Sequence, residues 1–194
     1  MKKDSKPGHQ AYSTAIVDLL KQNRIMPIGR GTPDKSIKQI LERLTIEEAF
    51  APGQIVDRES ATLCLAGLWL FYNNLEECHR IAQEIETEEA AYWHAIMHRR
   101  EGDFSNCKYW FRRVGEHPIF PALHSKAKNL ANNFKLEKST SFLVKQSRWG
   151  PFAFVDLCED CEKGRISAED LCGQIQQVEW QLLFDYCCQK AIGR

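Results

Sequence analysis

At 194 residues, with 43% hydrophobic and 10% aromatic content, the chain is long enough to bury a sizeable core, and one domain is expected. Lys and Arg balance Asp and Glu at a formal net charge of zero, which excludes a global pull toward nucleic acid or membrane. No apolar run nears the roughly 18 residues of a membrane span, the basic start lacks the apolar stretch of a signal peptide, and eight cysteines then point to free thiols in the cytoplasm.

Residues 1–8 read as a flexible polar tail, and 9–194 as a single all-helical domain. Apolar residues at helical spacing predict a first helix over 10–25. Pro27, Gly29 and Gly31 make the next stretch a loop. Thr32 as N-cap and Pro33 at the first helical position then open a short amphipathic helix to Leu44. Thr45 and Glu48 form a capping box for a further short helix. Asp57 caps a helix to about Tyr72 that is apolar on so wide a face that it belongs at the centre of the fold. Helices follow over 75–86, 88–101, 104–114 and 122–134, with a possible turn of helix at 142–144. Gly150-Pro151 opens another to about Glu162, and Ser167 to Asp170, an acidic variant of the capping box, starts a long last helix. No alternating strand pattern occurs, so the expectation is all-α, stacked helical hairpins with about 8–10 helices.

Charge alternates in blocks. Residues 1–44 carry nine Lys/Arg against four Asp/Glu, 45–98 two against ten, 99–148 eleven against four, and 149–194 four against eight. Either oppositely charged surfaces face each other inside the fold, or the basic third block binds an anionic ligand.

Sliding the segment 65–85 by 29 residues lays it over 94–114. Asn74 falls on Asp103, Leu75 on Phe104, Cys78 on Cys107 and Ile85 on Val114, so both copies read as helix, tight turn, helix. The second copy resembles a tetratricopeptide-type unit on Gly102, Asp103, Phe104 and Cys107: a Gly-Asp-aromatic turn followed by a small residue where the helices pack. The resemblance covers about 55 residues and departs from the family in its 29-residue spacing and in the missing Gly-Asp pair of the first copy. It implies a helical-repeat superhelix with a ligand-binding groove. Two first-helix positions that pack into the partner helix are Leu65 and Trp69 in the first copy but His94 and His98 in the second.

His94, His98 and Glu101 fall on one helical face, the spacing of a facial site for Zn²⁺ or Fe²⁺. The alternative is a pair of packed, hydrogen-bonded histidines. His79 and His124 are further histidines that neighbouring helices can bring in. Arg99, Arg100, Arg112 and Arg113, interleaved with Trp93 and Trp110, form either a cationic surface for a carboxylate or phosphate or internal ion pairs with the acidic run 84–89. Cys158 and Cys161 form a lone CxxC, which on a helix simply shares a face. Residues 29–33 approach a helix N-terminus where an anion can sit, or form an ordinary loop. No P-loop, dinucleotide, nucleophile-elbow or metalloprotease motif occurs.

The function expected from these features is a binding module that takes a protein, peptide or anionic small ligand in a helical groove, with no cofactor, no sequence-specific nucleic acid and no membrane. The alternative is a metal-dependent enzyme at His94, His98 and Glu101. The chain is expected as a monomer, or as a homodimer through Trp180, Leu183, Phe184 and Tyr186 of the last helix.

Overall fold

A computed structural model describes residues 12–21, 25–135 and 137–194, so the expected tail at 1–8 and the outer parts of the first predicted helix lie outside the described residues. Among the described residues there are eleven helices and no strand. They are α1 Thr14–Leu20, α2 Lys35–Arg43, α3 Ile46–Phe50, α4 Arg58–Phe71, α5 Leu75–Ala82, α6 Glu88–Glu101, α7 Phe104–Val114, α8 Phe120–Ala131, α9 Phe142–Lys145, α10 Pro151–Glu162 and α11 Glu169–Ala191. The all-α expectation holds. The count is one above the expected range because α9, four residues expected as no more than a turn of helix, stands as a separate helix.

Local chemistry explains most boundaries. Thr45 and Glu48 form the capping box of α3, and the Asp57, Thr87 and Asp103 side chains accept from backbone N–H groups in the first turns of α4, α6 and α7. Two predicted caps move. Asp34, not Thr32, caps α2, because its carboxylate reaches the Ser36 and Ile37 N–H groups, while the Thr32 carbonyl accepts from Asn73. Ala168, with no side-chain cap, precedes α11 in place of Ser167.

The 29-residue offset reappears as two helical hairpins, α4–α5 and α6–α7. Asn73 (φ 63°) and Gly102 (φ 80°) occupy equivalent left-handed turn positions. Asn is one of the few side-chain-bearing residues that adopt that conformation readily, so the first copy turns without a Gly-Asp pair. Cys78 and Cys107 are both fully buried at the hairpin crossings. The hairpins pack α5 against α6, and α11 lies across α4, α8 and α10.

One cluster of buried apolar side chains runs from Ile16 to Ala191. Gly67 is required where α4, α6 and α11 meet: a Cβ there would lie 2.9 Å from the Trp93 ring and 3.0 Å from that of Phe184. Trp180, Leu183 and Phe184 of the face proposed for a homodimer are buried in this cluster, and the Trp180 indole N–H donates to the Gly67 carbonyl at 2.8 Å. That face is therefore spent within the chain. No helix among the described residues is long and apolar enough to cross a membrane.

Candidate metal centre

Twelve of the fourteen residues of α6 are buried, so its histidines face neighbouring helices rather than solvent. His79 stands in the last turn of α5, beside the buried Cys78. The α5–α6 packing brings it to His94 and His98. Their ligand atoms all lie within 4.8 Å of one another, and His79 is the half-buried member. The His94 and His98 rings are parallel, 5.0 Å apart, and the His79 ring meets them edge-on at 4.6 and 5.4 Å.

Packing fixes these rings. The Trp110 indole stacks on His94 at 3.9 Å, and the Arg113 guanidinium lies over the same indole at 5.4 Å. Cation, indole and two imidazoles thus form one column. Beside it, Glu101 Oε2 lies 3.3 Å from His98 Nδ1, off the line of a good hydrogen bond, and Glu101 Oε1 accepts from Arg30 at 2.9 Å. A carboxylate there draws the His98 proton to Nδ1 and leaves the Nε2 lone pair free.

Burial pushes His94 down to about 3, with the nearby His79 and His98 adding to the effect. Burial also lowers His98, against the opposing pull of Glu101. At neutral pH these two rings are uncharged, the form that binds metals. His94 Nδ1 is buried without a hydrogen-bond partner, which is costly for a polar atom unless an ion or ligand meets it.

The donor set fits a divalent ion of the zinc type. Three imidazole nitrogens match the N-rich preference of Zn²⁺, at Zn–N distances of about 2.0–2.1 Å. Binding would draw the ligand atoms together from their present spacing of up to 4.8 Å.

This placement corrects the ligand set expected from sequence. In the cluster that could hold an ion, His79 joins His94 and His98, while Glu101, paired with Arg30, lies beside His98. His124 does not join; its Nε2–H donates to the Gln146 carbonyl at 3.1 Å. A periodicity argument along one helix finds His94 and His98 but cannot see a ligand supplied by another.

The cationic surface is not assembled. The Arg99 and Arg100 side chains are buried and held by internal partners. Arg99 pairs with Glu179 and donates to Gln176 Oε1, under the ring of Phe154 at 4.8 Å. Arg100 donates to the Gly29, Arg30 and Leu70 carbonyls and to Asn73 Oδ1. Arg112 and Arg113 are exposed but diverge, one over Phe152 and the other over Trp110. Trp93 is fully buried and Trp110 serves the histidine column. Arg99 and Lys108 of the basic block pair with the last charge block, through Glu179 and through Asp156 at 2.5 Å from Lys108, and Arg148 pairs with Glu116 inside the block; in the run at 84–89, Glu89 pairs with Lys190 instead. Residues 29–33 offer no anion site, because the Asp34 carboxylate already occupies the N-terminus of α2.

His117 and His124 instead line a groove of about 490 Å³ with Phe120, Pro121, Arg148 and Trp149. No protein-family model, curated protein or solved structure matches this chain.

Proposed function

We propose that the protein binds a divalent transition-metal ion of the zinc type through His79, His94 and His98, on a tetratricopeptide-like hairpin scaffold. The observation that carries this reading is the convergence of three imidazoles from two helices, two of them uncharged. Glu101 and Arg30 stand behind one ligand, as outer-sphere groups do in metal sites. Three nitrogens leave a coordination position open on the half-buried His79 side. An ion held this way lowers the pKa of a bound water and polarises a carbonyl or phosphoryl oxygen. The protein's share is to hold three lone pairs, keep the His94 and His98 rings neutral, and fix the His98 tautomer. The eight unbonded thiols fit a reducing compartment such as the cytoplasm.

Calorimetric titration of chelator-treated protein with ZnCl₂ tests the site. One equivalent is expected to bind, and zinc at a hundred times Kd to add about 2.7 kcal/mol, a rise in Tm of roughly 5–10 °C. His79→Ala and the double variant His94→Ala/His98→Ala lose this response, and Glu101→Gln weakens affinity about 10–100-fold. A full response retained in the double variant, or none in the wild type, sinks the proposal.

A second reading keeps the chain as a binding module for a peptide or anionic small ligand, now at the groove. His117 Nδ1 accepts from the Ile119 N–H at 3.3 Å, so Nε2 carries the proton, and burial lowers the ring to about 4 and keeps it neutral. That Nε2–H and the Trp149 indole N–H are both buried without partners. Two unmet donors beside Phe120 and Pro121 suit a carboxylate with an aromatic body. Titration with N-acetylphenylalanine is expected to shift the Trp149 indole resonance to saturation, and His117→Ala to abolish the shift. An unmoved resonance ends this reading.

A further inference from the structure

All eight cysteines are buried and unbonded, but their surroundings divide them. Cys64 and Cys188 touch between α4 and α11, Sγ to Sγ at 3.0 Å, in the core. Burial pushes the Cys64 and Cys187 thiols well up and those of Cys78 and Cys107 to about 12. A thiol that cannot ionise is a poor nucleophile, so these four behave as small apolar side chains.

Cys161 is placed differently. It stands in the last turn of α10, and its Sγ lies 3.6 Å from that of Cys172 in the first turn of α11. The turn that follows Cys161, 162–165, is exposed throughout. The Cys172 thiol beside it and, less strongly, the Ala168 N–H at the head of α11 hold the Cys161 sulfur below the usual thiol range, against burial and the Glu169 and Asp160 carboxylates. The positive end of the α11 macrodipole acts in the same direction.

We infer that Cys161 and Cys172 form a peroxide-responsive dithiol, with Cys161 the attacking sulfur and Cys172 the resolving one. The Cys161 thiolate attacks one oxygen of hydrogen peroxide. The S–O bond forms, the O–O bond breaks, and the departing hydroxide takes a proton to become water. Sulfur is oxidised by two electrons and peroxide reduced by two. The neighbouring Cys158 and Cys161 sulfurs, with burial, push the Cys172 thiol well up, so it does not ionise beforehand: its Sγ attacks the Cys161 sulfenic acid as the leaving hydroxide takes its proton, so that the S–S bond forms, the S–O bond breaks and a second water leaves. A small-molecule dithiol reverses the change by exchange. The cross-link ties the last turn of α10 to the first turn of α11.

Peptide mapping of the native full-length protein decides the matter. Protein is treated with hydrogen peroxide, blocked with N-ethylmaleimide, unfolded and cut with trypsin. Cleavage after Lys163 and Arg165 separates the Cys161 and Cys172 peptides unless a disulfide joins them. The joined pair is expected first, and dithiothreitol releases it. Cys158 shares the Cys161 peptide, so Cys158→Ser should keep the link and Cys161→Ser abolish it. In Cys172→Ser, dimedone should trap a sulfenic acid at Cys161. The inference is overturned if peroxide leaves every thiol free to alkylate, if Cys64–Cys188 links first, or if the link survives Cys161→Ser. Mapping of the wild type alone decides the first two outcomes if a variant fails to fold.

Discussion

Glu179→Ala is expected to lower the unfolding free energy by about 3–5 kcal/mol, the range for leaving one half of a buried ion pair uncompensated. Glu179 is fully buried on α11, where it accepts from the Arg99 guanidinium and, at 3.0 Å, from the Tyr92 hydroxyl. Its charge holds the Arg99 pKa above the usual arginine value, against desolvation. Without it, Arg99 keeps one neutral acceptor, Gln176, and the face of Phe154. Arg99 Nη1 already lacks a partner in the intact protein, so no reserve acceptor is at hand. Replacing both partners, Arg99→Met with Glu179→Leu, should recover most of the loss, because no charge then stays buried. Denaturant unfolding measures both. A single-variant loss below about 1 kcal/mol, the scale of an exposed pair, contradicts the account.

Arg100→Lys is the second large effect, expected to cost about 2–4 kcal/mol, since hydrogen bonds to charged groups contribute about 1.5–3 kcal/mol each. The guanidinium spans acceptors on two segments: the Gly29 and Arg30 carbonyls at 3.1 Å, the Leu70 carbonyl at 2.7 Å, and Asn73 Oδ1 at 2.6 Å. It thereby fastens the loop before α2 and the C-terminal turn of α4 onto α6. A lysine ammonium is a single point of donation and cannot reach both sides. Faster amide exchange is expected in 25–34, with the core of α11 unchanged. The same loop carries Arg30, which holds Glu101 beside His98, so Arg100→Lys should also weaken zinc binding. Full stability and unchanged exchange in the lysine variant rule this out.

Both predictions turn on arginines that the sequence left open between a ligand-binding surface and internal ion pairs, and the reason lies in α6. Polar and apolar side chains alternate around the whole helix, so no stripe marks an inner face. Periodicity therefore leaves Arg99 and Arg100 looking like solvated charges. They are buried because α4, α5 and α7 pack against α6, and Glu179 reaches Arg99 from α11. The same cause hides His79. It belongs to a different helix from His94 and His98, and only the α5–α6 packing shows that it completes the triad where Glu101 was expected.

Local interactions were legible. The capping box at Thr45, the cap at Asp57, the turn at Gly102-Asp103 and the helix-turn-helix pattern of each hairpin all depend on residues within a turn or two of one another. The chain by itself therefore determined the helices, their turns and the two histidines that break the repeat. Tertiary structure alone decided which charges were buried, which histidine joined them, and which thiols came within reach. Those outcomes depend on pairs such as Arg99–Glu179 and Cys161–Cys172, whose approach is set by helix packing and not by any spacing along the chain.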